Sequence, residues 1–486
     1  MKRILLYALF MSALVVSARV ELPSIFSNRA VLSRHAKVPV WGKAAPGEKV
    51  TVSIAGQKVS CVAGKSGKWK VFLDLEKVKE GPWIMTVNDK VIKDVLVGEV
   101  WLCSGQSNMA MVMRNSQDFE KEKANPPGRR LRMFAVKAAG ADVAGDNCPG
   151  AWYYADEKMI KSFSAASYYF GKKLLSDLDR PVGLIKSAQG ASIIETWMPQ
   201  ELIKKFPAAV ARANRRLKAK KKPAWYRLPN KAYNAMIHPL IPYRLNGVIW
   251  YQGEANSRNP EDYDQLFRAL ISDWRKSFDD QKLSFYWCSL AAYNKKSSDP
   301  GKYTGWVVLR SKQTAVLDMP GTGQIILTDG GEAEDIHPRN KKIAGDRLAA
   351  LALARTYGKN IPCTGPLAVK AVRTGEAVEI SFKDIYDGLI ARPVPETYII
   401  KSKENKTGKI RRNSPQAQLE GFALAGKDGK WFWADKASIR GNKVVVSSDK
   451  VSAPFKVRFA CQNNPTCNLY NKAGFPAVPF EMTVEK

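Results

Sequence analysis

Histidine is nearly absent from this chain. Only His35, His238 and His337 occur in 486 residues, so any chemistry that needs an imidazole has few places to find one. None of the seven cysteines combines with a nearby histidine at zinc-ligand spacing, which leaves a metal centre without support. Beyond the first eighteen residues no stretch is apolar enough to span a bilayer, which argues against stable membrane insertion. Acidic residues are scarce, with 45 Asp and Glu against 77 Lys and Arg, a formal charge of +32. Such a balance steers anionic substrates or favours adhesion to anionic polymers. No nucleic-acid-binding motif accompanies it, so nucleic acid is not the expected partner. The densest basic run, Arg212, Arg215, Arg216, Lys218, Lys220, Lys221 and Lys222, reads as an exposed helix end and loop with a solvated face. Long repeats and low-complexity linkers are lacking too.

Residues 1–18 have the parts of a cleavable secretory signal: Met1-Lys2-Arg3, a short apolar core from Ile4, and a small-residue end at Ala18. The core is short for a membrane anchor, the competing reading, so a secreted or periplasmic protein is expected. An odd number of cysteines in an exported chain leaves at least one thiol unbridged. Cys461 and Cys467 are near enough in sequence to close a small loop and are the expected disulfide. Cys103 and Cys288 lie in apolar runs as buried thiols.

Three regions follow. Residues 19–97 show short alternating strands (Val50, Val52, Ile54; Trp69, Val71, Leu73; Ile84 to Val87), the pattern of a β-sandwich. Residues 98–360 change to near-continuous apolar runs at Val100–Leu102, Val182–Ile185, Gly247–Tyr251, Leu283–Trp287 and Ile325–Leu327. Strands buried on both faces of a parallel sheet look like this. Helical patterns at Ser164–Leu175, Tyr263–Phe278 and Lys341–Tyr357 separate or follow them, and Gly358 stops the last. Residues 361–486 are β-like again, with a hairpin turn expected at Gly426-Lys427-Asp428-Gly429. Alternating strands and helices imply an α/β sheet with its functional loops at the strand C-terminal ends.

The polar stretches fall at those ends. Ser107 follows the first strand, Gly190 and Ser192 the second, Gln252-Gly253-Glu254-Ala255-Asn256 the third, and Asp335-Ile336-His337-Pro338 the last. A serine hydrolase needs a hydroxyl, an imidazole to take its proton and usually a carboxylate to orient that imidazole. His337 alone among the histidines follows a carboxylate at short range; His238, between Ile237 and Pro239, reads as a packed side chain. Gly105 permits a tight bend before Ser107, and the amide of Gly190 can approach the same point without a side chain in the way. A side-chain amide from Gln252 or Asn256 is a third donor. Glu254 either acts as an acid or holds its loop; Trp197 and Trp250 either line a sugar subsite or fill the core. Arg114, shortly after the serine, either meets a substrate carboxylate or faces solvent.

Together Gly105-Gln106-Ser107-Asn108-Met109, Gly190-Ala191-Ser192 leading to Glu195-Thr196-Trp197, Trp250 to Asn256, and Asp335 to Lys341 resemble the four blocks of the sialate O-acetylesterase family, within the SGNH-type hydrolases. Smaller matches are Leu309-Arg310 and Gln313, Asn234 to Ile237, and Asn468-Leu469-Tyr470-Asn471. The resemblance implies a flavodoxin-like three-layer α/β core with a parallel sheet, flanked by β-sandwich-like regions. It implies hydrolysis of O-acetyl esters on glycans through an acetyl-enzyme, without metal or organic cofactor. Carried over, Ser107 is the nucleophile and His337 the base. Asp335 is the orienting acid, with Glu334, three residues before the histidine, in competition. The Ser107 and Gly190 amides with Gln252 or Asn256 form the oxyanion hole, and Glu254, Trp197 and Arg114 border the substrate. The sugar stays open between sialic acid, acetylated xylan and another acidic polysaccharide. An inactive glycan-binding protein with an esterase-like core is the alternative from another class.

Overall fold

The structure, a computed structural model, describes residues 20–392, 397–398, 409–410 and 419–486; the expected signal segment lies outside them. Six short strands come first: β1 (Val31–Ser33), β2 (Val38–Lys43), β3 (Lys49–Ile54), β4 (Gln57–Val62), β5 (Lys68–Leu73) and β6 (Trp83–Val87). In β3 and β5 every second side chain is buried, as the alternation of Val50, Val52, Ile54 and of Trp69, Val71, Leu73 requires. A sixteen-residue strand, β7 (Lys90–Gly105), follows. Its first half pairs antiparallel with β6 and parallel with β1; its second half is the centre of the next sheet. The position 97/98, expected to separate two regions, therefore falls inside one strand. No linker marks the change.

The central sheet continues with β8 (Gly128–Val136), β9 (Gly150–Ala155), β10 (Val182–Ala188), β11 (Gly247–Tyr251), β12 (Ser284–Cys288) and β13 (Thr322–Ile325). The order is β13-β12-β11-β7-β10-β8-β9, parallel except for the antiparallel edge strand β9. The strand expected at Ile325–Leu327 ends at Ile325, which leaves Ile326 and Leu327 to lead into the loop that carries His337. Alternate residues of the inner strands enter two separate apolar clusters. Val100, Leu102, Val248, Trp250, Phe285 and Trp287 pack on one face with the helix Tyr263–Ser277. Trp101, Cys103, Ile249, Tyr251, Tyr286 and Cys288 pack on the other with helices Ala165–Leu178 and Lys341–Arg355. This two-sided burial explains why those strands read as unbroken apolar runs.

The C-terminal region builds two four-stranded antiparallel sheets around a third cluster that includes Val378, Ile380, Val444 and Val457. Its expected hairpin turn joins Phe422–Ala425 to Trp431–Trp433. The expected Cys461–Cys467 disulfide is not formed. The Cys461 thiol instead points at the Phe480 carbonyl, 3.1 Å away, in the strand pairing of that sheet. Tyr470 fixes this region to the core by donating to Asp329, whose carboxylate also takes both arms of the buried Arg347 guanidinium at 2.7 and 2.6 Å. Asp329 lies in the segment between β13 and His337.

Candidate active site

β7, β10 and β11 end side by side, with Gly105 in register with Ala188 on one side and Tyr251 on the other. Gly105 has φ 134°, and a Cβ there would stand 2.2 Å from the Tyr251 carbonyl oxygen, so only glycine lets the chain turn here. The turn delivers Ser107 to the start of a four-residue helix, Ser107–Ala110. Gln106 anchors the bend: its buried side-chain oxygen accepts the amides of Gly253 and Ala255 from the loop after β11.

Four loops meet at this edge. His337 Nε2 lies 2.8 Å from Ser107 Oγ, although the two residues are 230 positions apart. Asp335 Oδ1 accepts the His337 backbone N–H at 2.8 Å and stands 3.6 Å from ring Nδ1, an ion-pair distance rather than a hydrogen bond. Burial pushes the Asp335 carboxyl up. The His337 ring and amide and the Lys341 charge outweigh burial, leaving Asp335 below its ordinary value and ionised. Glu334, the competing acid, is exposed. The amides of Ser107 and Gly190 donate to no other group among the described residues, and a Cβ on Gly190 would contact Ser107 Cβ at 3.7 Å. An imidazole that can take the hydroxyl proton and two amides beside the hydroxyl together suit acyl transfer.

Asn108, a member of the first sequence block, ties the loops together. Its Nδ2 donates to Glu254 Oε1 at 2.6 Å and to the Ile336 carbonyl at 3.0 Å, and its Oδ1 accepts from Lys341 Nζ at 2.7 Å. Lys341 is buried, which lowers its ammonium to about 8 against the pull of Glu254 and Asp335. Burial likewise raises Glu254 above its ordinary value. Glu332, which accepts the Arg339 amide, is raised by burial to about 7. A pattern of four blocks in sequence could not reveal the bonds of Asn108, because each joins residues from different blocks.

Of the other sequence-based readings, some are overturned and some stand. Gln252 is fully buried and both protons of its amide are taken, one by Ser192 O (3.1 Å) and one by Asn256 Oδ1 (2.8 Å). It has no donor left for an oxyanion. Asn256 serves the same scaffold, accepting from the Ile194 amide and donating to Glu195 at 2.9 Å. Trp197 is core: it is fully buried, donates to Ser192 Oγ and packs edge-on against Trp250. Arg114 is exposed on the turn Met113–Asn115 with no ion pair among the described residues. Arg212, placed in a solvated run, is buried between Glu195 (3.1 Å) and Asp262 (2.8 Å). His238 packs with its Nδ1 2.9 Å from the Gly145 carbonyl. The recess around it, lined by Trp41, Trp69 and Asp146, shares no residue with the Ser107 cluster.

Comparison with known proteins gives the same direction. The family model for carbohydrate esterase, sialic acid-specific acetylesterase, matches residues 97–341, half of the chain. The chain belongs to this family. As a member it is a carboxylic-ester hydrolase of the carbohydrate-esterase type. It is 29% identical to the sialate O-acetylesterase of Homo sapiens over 94% of this chain and 91% of that protein. It is 30% identical to that of Mus musculus over 71% and 75%. A carbohydrate acetylesterase from Xanthomonas citri has the same fold, with TM-score 0.83 and 31% identity over 96% of this esterase and 99% of that chain. Among the described residues no helix of the esterase is long and apolar enough to cross a membrane.

Proposed function

We propose that this esterase removes O-acetyl groups from a glycan by a Ser107–His337–Asp335 acetyl-enzyme mechanism. His337 Nε2 takes the hydroxyl proton as Ser107 Oγ attacks the acetyl carbonyl. The Ser107 and Gly190 amides receive the negative charge that develops on the carbonyl oxygen. Collapse expels the sugar hydroxyl, which takes its proton from His337, and leaves acetate esterified to Ser107. Water activated by the same imidazole then releases acetate. Asp335 stabilises the imidazolium in both halves. Glu254 and Lys341 act through Asn108 to hold the Ser107 and His337 loops in register.

The observation that carries this reading is the 2.8 Å contact between Ser107 Oγ and His337 Nε2. Sialate esters are the favoured substrate because the named relatives are sialate O-acetylesterases; acetylated xylan and other polysaccharides suit the same machinery. Residues 1–18 are proposed as a cleaved signal, making the enzyme secreted or periplasmic. Ser107→Ala and His337→Ala should each abolish hydrolysis of an aryl acetate. Full rate in either variant would overturn the mechanism.

A further inference from the structure

A recess of about 610 Å³ reaches the loops that carry the reacting pair, within the range of small-ligand sites. Its lining includes Ile336, which lies between Asp335 and His337, and Glu254, which accepts from Asn108. Arg227 and Arg258 also line it, and these two arginines line a neighbouring recess of about 330 Å³ together with Arg212 and Arg216. Of the four guanidiniums, only Arg212 has ion-pair partners among the described residues, Glu195 and Asp262. Arg216 spends one arm on the Arg227 carbonyl and makes no ion pair, and Arg227 and Arg258 make none either among the described residues.

Three cations without an ion pair among the described residues share the walls of one cleft and repel each other. Burial holds Arg216 and Arg227 below their ordinary values; the charges of neighbouring arginines add to the effect and that of Glu195 opposes it. A fold that keeps such a cluster next to the Glu254 loop and Ile336 gains from a bound anion, and guanidinium matches the paired oxygens of a carboxylate or sulfate. We propose that Arg227 and Arg258 form an anion subsite that selects acidic glycans, binding a carboxylate or sulfate on the sugar whose ester Ser107 cleaves. This deepens the esterase reading and rests on it.

The test uses the full-length protein. Calorimetric binding of an unacetylated sialoside and of a sulfated monosaccharide reports on the subsite without any turnover, and their comparison says which anion it takes. Arg258 is exposed, so Arg258→Ala should fold normally. Its affinity for the acidic saccharide should fall roughly tenfold or more, and Arg258→Lys should recover part of the loss. With an O-acetylated acidic substrate the loss should appear in KM rather than kcat. Aryl acetate hydrolysis should be unchanged. Binding of neither saccharide by the wild type, or equal binding by wild type and Arg258→Ala, would overturn the subsite. Aryl acetate turnover that survives Ser107→Ala would instead overturn the mechanism, so the two failures are distinguishable.

Discussion

Asp335→Asn removes one charge while preserving the shape of the His337 loop. The side-chain oxygen of Asn can still accept the His337 N–H that Asp335 holds at 2.8 Å. What disappears is a negative charge 3.6 Å from Nδ1 of the ring that becomes an imidazolium. At this distance Coulomb's law gives about 4.6 kcal/mol for an effective dielectric constant near 20 and about 1.2 kcal/mol in bulk water. The His337 side chain is 39% exposed and that of Asp335 16%, so solvent screens the pair and the value lies between these limits. Taking about 2–3 kcal/mol, kcat/KM for an aryl acetate should fall roughly 30- to 150-fold. Urea denaturation of the variant should match the wild type to within about 1 kcal/mol, since the loop keeps its backbone anchor. Glu334→Gln, altering an exposed side chain, should leave the rate within about twofold. An Asp335→Asn enzyme within twofold of wild type would refute the assignment of Asp335, and a larger loss in Glu334→Gln would transfer the role.

Other predictions concern the residues around the pair. Asn108→Ala orphans Glu254 and Lys341 and releases the Ile336 carbonyl; stability should fall by about 3 kcal/mol. Its kcat should drop about a hundredfold as His337 loses its register, and an unchanged kcat in single-turnover measurements would contradict that link. Gly190→Ala adds a methyl 3.7 Å from Ser107 Cβ, where the ester must approach; kcat should fall about tenfold or more with the thermal midpoint preserved. Glu332 is raised from its ordinary 4.5 to about 7 by burial, so ionisation costs the folded state more than the unfolded one. The wild type should therefore lose stability relative to Glu332→Gln as pH rises from about 4.5 to about 7, and the difference should then level off. A difference in melting temperature that is flat over that window would show that Glu332 is not held in its acid form.

The sheet was legible where burial is two-sided. The runs at Val182–Ile185 and Gly247–Tyr251 are strands because both faces are covered, and apolar residues therefore occupy successive positions. The last two strands on one side of the sheet, Gly128–Val136 and the edge strand Gly150–Ala155, were not legible. The first contains Arg129, Arg130 and Arg132, and Arg132 is buried only because Asp94 of β7 neutralises it. The Arg212 run misled in the same way: a charge run has no local mark for the one member that meets Glu195 and Asp262, brought from elsewhere in the chain. Ser107 and His337 were legible because strand ends converge whatever the loops contain. Whether an amide donor is free depends on partners, and both protons of Gln252 find theirs in Ser192 and Asn256. The C-terminal block Asn468-Leu469-Tyr470-Asn471 has no role readable from sequence; in the structure its Tyr470 braces Asp329. Arg310 likewise proves to be scaffold, spreading its guanidinium over the carbonyls of Leu290, Ala291, Gln462 and Asn463.

Covalent labelling by a serine-reactive phosphonate, followed by mass spectrometry of the intact protein and its peptides, tests the partnership of Ser107 and His337 most directly. The wild type should take up one adduct, on Ser107, in step with the loss of esterase activity, and labelling should become negligible in Ser107→Ala and in His337→Ala. An adduct on another residue, or unimpaired labelling of Ser107 in His337→Ala, would contradict it.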